Sequence, residues 1–144
     1  MRVDYLGNPV TVSTDASLAA VNDFVDGFLA YETRAANVLS AADADPASAL
    51  LNVYAGVLWL LLESPEGPGR AAPYVDKALA ARSAAHPREQ AAVDFLLAWF
   101  DDDIPRALAM ADAILAAWPR AAWRPSPTSS ATCWTRPRPP PIAP

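Results

Sequence analysis

One histidine, one cysteine and 16 scattered carboxylates are a poor inventory for acid–base, nucleophilic or metal chemistry in a chain of 144 residues. Each of those chemistries needs a reactive group with a partner held within reach. His86 stands directly before Pro87, with no second His or Cys at metal-ligand spacing, so it reads as a surface or helix-capping residue. Asp101-Asp102-Asp103 has the carboxylates to chelate Mg²⁺ or Ca²⁺, but a calcium loop needs ligands at alternate positions and a closing Glu. The run reads instead as a solvated turn, with Asp103 capping the helix that follows. Gly67 and Gly69 lack the Lys-Ser/Thr ending of a phosphate loop. Trp59, Trp99 and Trp118 are of the type enriched at recognition hot spots, yet their helical spacing among Leu and Ala points to core or to the seam between helices. No catalytic, cofactor or metal site emerges, and the partner-binding residues stay unassigned. The chain reads as a binding module and not an enzyme.

The elements that must position these residues are helices. The hydrophobic fraction is 53%, carried largely by Ala, and β-branched and aromatic residues never alternate over a useful run. Thr14 and Asp15 offer an N-cap before Leu18, Val21, Val25, Phe28 and Leu29, which predicts a helix over 15–31. Ala35, Val38, Leu39 and Ala42 predict a second over 34–44, stopped by Asp45-Pro46. The third, over 47–62, has apolar residues all round and so takes a central position. Ser64-Pro65-Glu66-Gly67-Pro68-Gly69 predicts a loop, and Tyr74, Val75, Ala78 and Leu79 a fourth helix over 70–85. His86-Pro87 opens a fifth, with Glu89 in its first turn and Val93, Leu96, Leu97 and Phe100 as its stripe. The sixth, over 104–118, keeps Ile104, Ala107, Leu108, Ala111, Leu115 and Trp118 on one face.

The six helices form three pairs, each closing on an X-Pro step at Asp45-Pro46, His86-Pro87 and Trp118-Pro119, at intervals of 41 and 32 residues. Tetratricopeptide repeats recur at 34 residues as helix, turn and helix, with Pro after the second helix; the long interval fits an insertion at residues 64–69. The segment Asp4-Tyr5-Leu6-Gly7-Asn8 ahead of the first helix, then Arg88-Glu89-Gln90-Ala91-Ala92-Val93, the helix from Ile104 to Ala117 and its closing Pro119-Arg120 resemble the tetratricopeptide repeat protein 38 family. The resemblance covers roughly residues 3 to 120. Members of that family are longer and continue into more helix pairs, and carry a Gly-containing turn where this chain has Asp101-Asp102-Asp103. The expected fold is all-α: about six helices in antiparallel pairs stacked as a tetratricopeptide-like right-handed solenoid. An N-terminal extension over 1–14, a helical domain over 15–120 and a disordered Pro-rich tail over 121–144 complete the organisation.

All 16 acidic residues precede Ala121, against eight basic ones there, so the helical part stands near −8. Such a surface repels phosphate backbones and argues against nucleic acid, leaving a basic or neutral protein or peptide as partner. The most apolar run, residues 50–62, is short of the roughly 20 residues that cross a bilayer. The lone Cys133 and the absence of a secretory signal at the start indicate a reducing, cytoplasmic setting. From Ala121 onward seven of 24 residues are Pro and none is acidic. Arg136-Pro137-Arg138-Pro139-Pro140-Pro141 has the composition of a polyproline II ligand or of a tail with no partner. A change of reading frame near Arg120 is a third reading: taken one base earlier, Trp123 to Thr135 can encode Leu-Ala-Ala-Leu-Thr-Tyr-Gln-Leu-Arg-Tyr-Leu-Leu-Asp, the next amphipathic helix. The chain would then be a truncated product whose sixth helix self-associates through Leu108, Leu115 and Trp118. An enzyme whose chemistry lies elsewhere is the remaining alternative.

Overall fold

Four of the six helix starts hold a side chain that accepts a hydrogen bond from an otherwise orphaned backbone N–H, and these caps fix where the chain turns. In the computed structural model, which describes residues 1–120, Thr14 Oγ1 accepts from Ser17 N at the start of α1 (Asp15–Leu29). Ser48 caps α3 (Ala49–Leu61) through Leu51 N. His86 Nδ1 accepts from Arg88 N at α5 (Pro87–Phe100), while the Glu89 carboxylate accepts from His86 N, a capping box with Pro87 in the first turn. Asp103 caps α6 (Ile104–Ala117) through Arg106 N. The intervening helices are α2 (Asn37–Ala44), entered through a 3₁₀ turn at Thr33–Ala36, and α4 (Gly67–Ala81), continued by a 3₁₀ turn at Arg82–Ala84. Ahead of α1, β1 (Arg2–Val3) and β2 (Pro9–Val10) pair antiparallel, with Arg2 opposite Val10 and Val3 opposite Pro9.

The odd-numbered helices begin at Asp15, Ala49 and Pro87, intervals of 34 and 38 residues. Each ends in the same way. Among the described non-glycine residues, Tyr31 (φ 58°), Glu63 (φ 48°) and Asp102 (φ 60°) adopt left-handed backbone, and each stands two residues past the end of α1, α3 or α5. At the first and third turns the hydrogen bonds are those of a Schellman closure. Glu32 N donates to Gly27 O at 2.7 Å and Asp103 N to Ala98 O at 2.9 Å, with Tyr31 N to Phe28 O and Asp102 N to Trp99 O inside them. Asp102 therefore occupies the conformation for which a glycine would ordinarily be chosen.

Packing follows one pattern throughout. Each odd helix lies against the even helix that follows it, α3 against α4 most extensively; α3 also touches α1 and α2, and α5 touches α3 and α4. The centre is α3, whose residues 49–57 are all buried, as an all-round apolar helix requires. Around it Phe24, Val38, Val75, Val93, Leu96 and Ile114 close the core.

Two expectations need correction. Residues 64–69 are not all loop: α4 begins at Gly67 and carries Pro68 in its first turn, where a missing N–H costs nothing. A Cβ at Gly67 would lie 2.8 Å from the Trp59 carbonyl oxygen, so glycine there permits α4 to approach α3. Phe28, Leu29 and Leu79, placed on core faces by their spacing, are instead exposed, and Phe24, Ala71 and Ile114 are buried.

Candidate functional site

A cluster of buried polar groups lies where the N-terminal hairpin meets the odd-numbered helices. Asp4 Oδ1 accepts from Leu6 N (3.0 Å) and Asn8 N (2.8 Å), folding residues 4–8 into a turn that Gly7 completes at φ 84°. A side chain at Gly7 would be strained by that φ and would meet Arg120 at 3.2 Å. Asn8 Nδ2 donates to the Asp4 carboxylate and, at 3.0 Å, to the carbonyl of Arg120 beyond α6. The Asp-x-x-Gly-Asn element is thus a self-capped turn that ties the start of the chain to the end of its last described helix.

Beneath the turn lies the first turn of α5. Arg88 is 3% exposed and Glu89 fully buried, a placement that charged side chains tolerate only when paired. Arg88 donates to the carbonyl of Pro9 at 3.1 Å and stands 3.8 Å from the Asp4 carboxylate, while its Nε makes no hydrogen bond. Glu89 accepts from Thr11 N at 2.8 Å with one oxygen and from His86 N with the other. On α1, Asn22 accepts from Tyr5 N at 3.0 Å. Further along, the buried Asp45 accepts from Ser13 N, from the Ser13 hydroxyl and from Ser17. Burial raises its pKa, but those three hydrogen bonds outweigh it and hold the carboxyl below its ordinary value.

The floor of the site is aromatic. Tyr54 of α3 stacks on Phe24 of α1 at 4.3 Å between ring centroids, and Phe24 on the exposed Phe28 at 5.6 Å, a column running from core to surface. Burial pushes the Tyr54 hydroxyl up to about 12, with Arg88 opposing and Asp4 adding to the shift, so it is neutral at physiological pH. This set of groups holds backbone and carboxylates in place.

The residues singled out in the sequence do not come together. His86 is a helix cap. Asp101, Asp102 and Asp103 are exposed turn residues, and among the described residues no group of three His, Cys, Asp or Glu side chains is placed to hold a metal ion. Trp59 is half-buried under the Arg70 guanidinium, 4.9 Å from its ring centroid; Trp99 packs on Phe95. Leu108, Leu115 and Trp118 are likewise half-buried. A shallow apolar notch between α5 and α6 is lined by Ala92, Phe95, Ala111 and Ile114, and by none of the tryptophans. Cys133 and the Arg/Pro run at 136–141 lie outside the described residues. Sequence reasoning missed Asp4, Asn22, Arg88 and Glu89 as one cluster. Its one signal was that both of their segments, residues 4–8 and 88–93, carry the family resemblance.

No helix among the described residues is long and apolar enough to cross a membrane. No protein-family model, curated protein or solved structure matches the chain.

Proposed function

We propose that this chain is a protein-interaction module of the tetratricopeptide kind, akin to the N-terminal part of the tetratricopeptide repeat protein 38 family. In this reading it acts in the cytoplasm and holds an extended peptide on the face of α1, α3 and α5 without transforming it. One observation carries the reading: a residue in left-handed backbone recurs two positions past α1, α3 and α5. Of the odd helices, α3 and α5 also pack on the pair before them. A unit repeated in turn geometry and in packing is what a stacked helix-pair array requires. The binding character rests on the chemistry of the site, whose buried groups accept from and donate to main chain.

Selection of peptides from a random display library against the immobilised full chain tests this. Enriched peptides should shift the NMR resonances of residues on α1, α3 and α5. Shifts confined to the even helices would remove the reading.

A further inference from the structure

The first twelve residues are held by the helical body much as a bound peptide would be. Three body side chains grip main-chain groups of this segment: Asn22 and Glu89 accept from Tyr5 N and Thr11 N, and Arg88 donates to Pro9 O; just beyond it Asp45 accepts from Ser13 N. Such contacts recognise an extended backbone whatever its sequence. Side-chain contacts come from Arg2 on Asp15, from Asp4 facing Arg88, from Asn8 on the Arg120 carbonyl, and from Val10, which is buried in the core. The segment spans the row of odd helices from Asn22 on α1 to Arg88 and Glu89 on α5, with Tyr54 of α3 beneath.

The fit is incomplete. Arg88 is almost wholly buried, donates to Pro9 O and lies against the Tyr54 hydroxyl, yet its Nε has no partner and the Asp4 carboxylate stays at 3.8 Å, beyond hydrogen-bonding distance. A guanidinium binds carboxylate best through two parallel N–H bonds, so this socket is only partly satisfied by the segment now in it.

We infer that residues 1–12 are an intramolecular ligand occupying a peptide-binding groove, and that the partner is an extended, near-neutral peptide that presents a carboxylate to Arg88 and displaces them. The inference rests on the interaction-module reading and names its site, partner class and regulation. Occupation in cis imposes an effective concentration on the order of millimolar, so a partner binds the intact chain far more weakly than the groove alone would allow. Near-neutrality follows from the surroundings. The segment itself carries one Arg and one Asp, against a strongly acidic helical body that disfavours further negative charge.

A fluorescein-labelled peptide of residues 1–12, titrated by polarisation against the full chain and its D4A/N8A variant, provides the test. The variant, with wild-type helical circular dichroism, should bind the peptide at least tenfold more tightly than the wild type does, and an Asp4→Ala peptide should bind the variant at least tenfold more weakly. Equal binding by wild type and variant, or no saturable binding by a folded variant, overturns the inference. Should the variant not fold, amide exchange in the wild type decides. The Leu6, Asn8 and Thr11 amides should exchange at least tenfold faster than those of Val53 and Val57 in α3, and equal rates overturn the proposal. A wild-type dimer with exchanged N-terminal segments also overturns it, since the occupant would then be a second copy. Library peptides that bind the odd-helix face without competing with residues 1–12 would sink this inference and leave the interaction reading standing.

Discussion

Replacing Tyr31 by glycine should stabilise the protein. Tyr31 holds φ at 58°, a conformation that costs an L-residue with a Cβ about 1–2 kcal/mol. Glycine avoids that cost but gives up about 0.5–1 kcal/mol through the greater freedom of its unfolded chain. The side chain is 99% exposed, so its removal loses no buried area. The balance favours Tyr31→Gly by about 0.5–1 kcal/mol, which for a domain of this size raises Tm by roughly 2–4 °C. Tyr31→Ala keeps the strained φ and supplies the control, since any loss of side-chain contact is common to both variants. Urea titration followed by far-ultraviolet circular dichroism gives the free energies. A glycine variant no more stable than the alanine variant would refute the idea that backbone strain at this turn limits stability.

Glycines elsewhere respond according to the space around them. Gly27→Ala should destabilise by about 1–3 kcal/mol in the same titration, because the new Cβ would lie 2.9 Å from the backbone nitrogen of Ala35. Gly69→Ala meets nothing within 4 Å and should stabilise α4 by about 0.5–1 kcal/mol. The lowered pKa of Asp45 makes its contribution to stability complete above the ordinary value of 3.8 and lost as pH falls through the folded value. Asp45→Asn should therefore weaken the protein at pH 7 and flatten the acid limb of its stability profile, and an unchanged limb would dissociate Asp45 from acid unfolding. Glu89→Ala removes the acceptor of both His86 N and Thr11 N in a fully buried position. A cost of about 2–3 kcal/mol, read by thermal denaturation, is the expected result.

The helices were legible because their signals are local. Thr14, the His86-Pro87 step and Asp103 mark starts by hydrogen-bonding within a turn, and each is a cap in the structure. The solid apolar surface of α3 announced its central place. Periodicity marks a face, however, and not how far along the helix a neighbour reaches, which is why Phe28, Leu29 and Leu79 emerged exposed. The start of α4 was hidden because Gly67 and Pro68 read as breakers, whereas a first turn tolerates Pro and close approach to the Trp59 carbonyl demands Gly. The polar cluster was hidden for another reason. Asp4 and Arg88 are residue types at home in water, and only tertiary folding brings together groups 84 positions apart and seals them from solvent. Nothing local in either segment reports that burial.

The bond from Asn8 to the Arg120 carbonyl has a mechanical consequence. A stack in which each pair touches only its neighbours unravels from its ends, so its outer pair frays at a free energy well below that of global unfolding. Here the first residues reach past two pairs to the third, gripping Arg88, Glu89 and Arg120 at once. The packed helix pairs are thereby closed into a buckled loop, in which the outer pair cannot loosen without opening the clasp. Slack in that clasp would be transmitted to α5 and α6 first, and the stack would change from a single cooperative unit into one that peels.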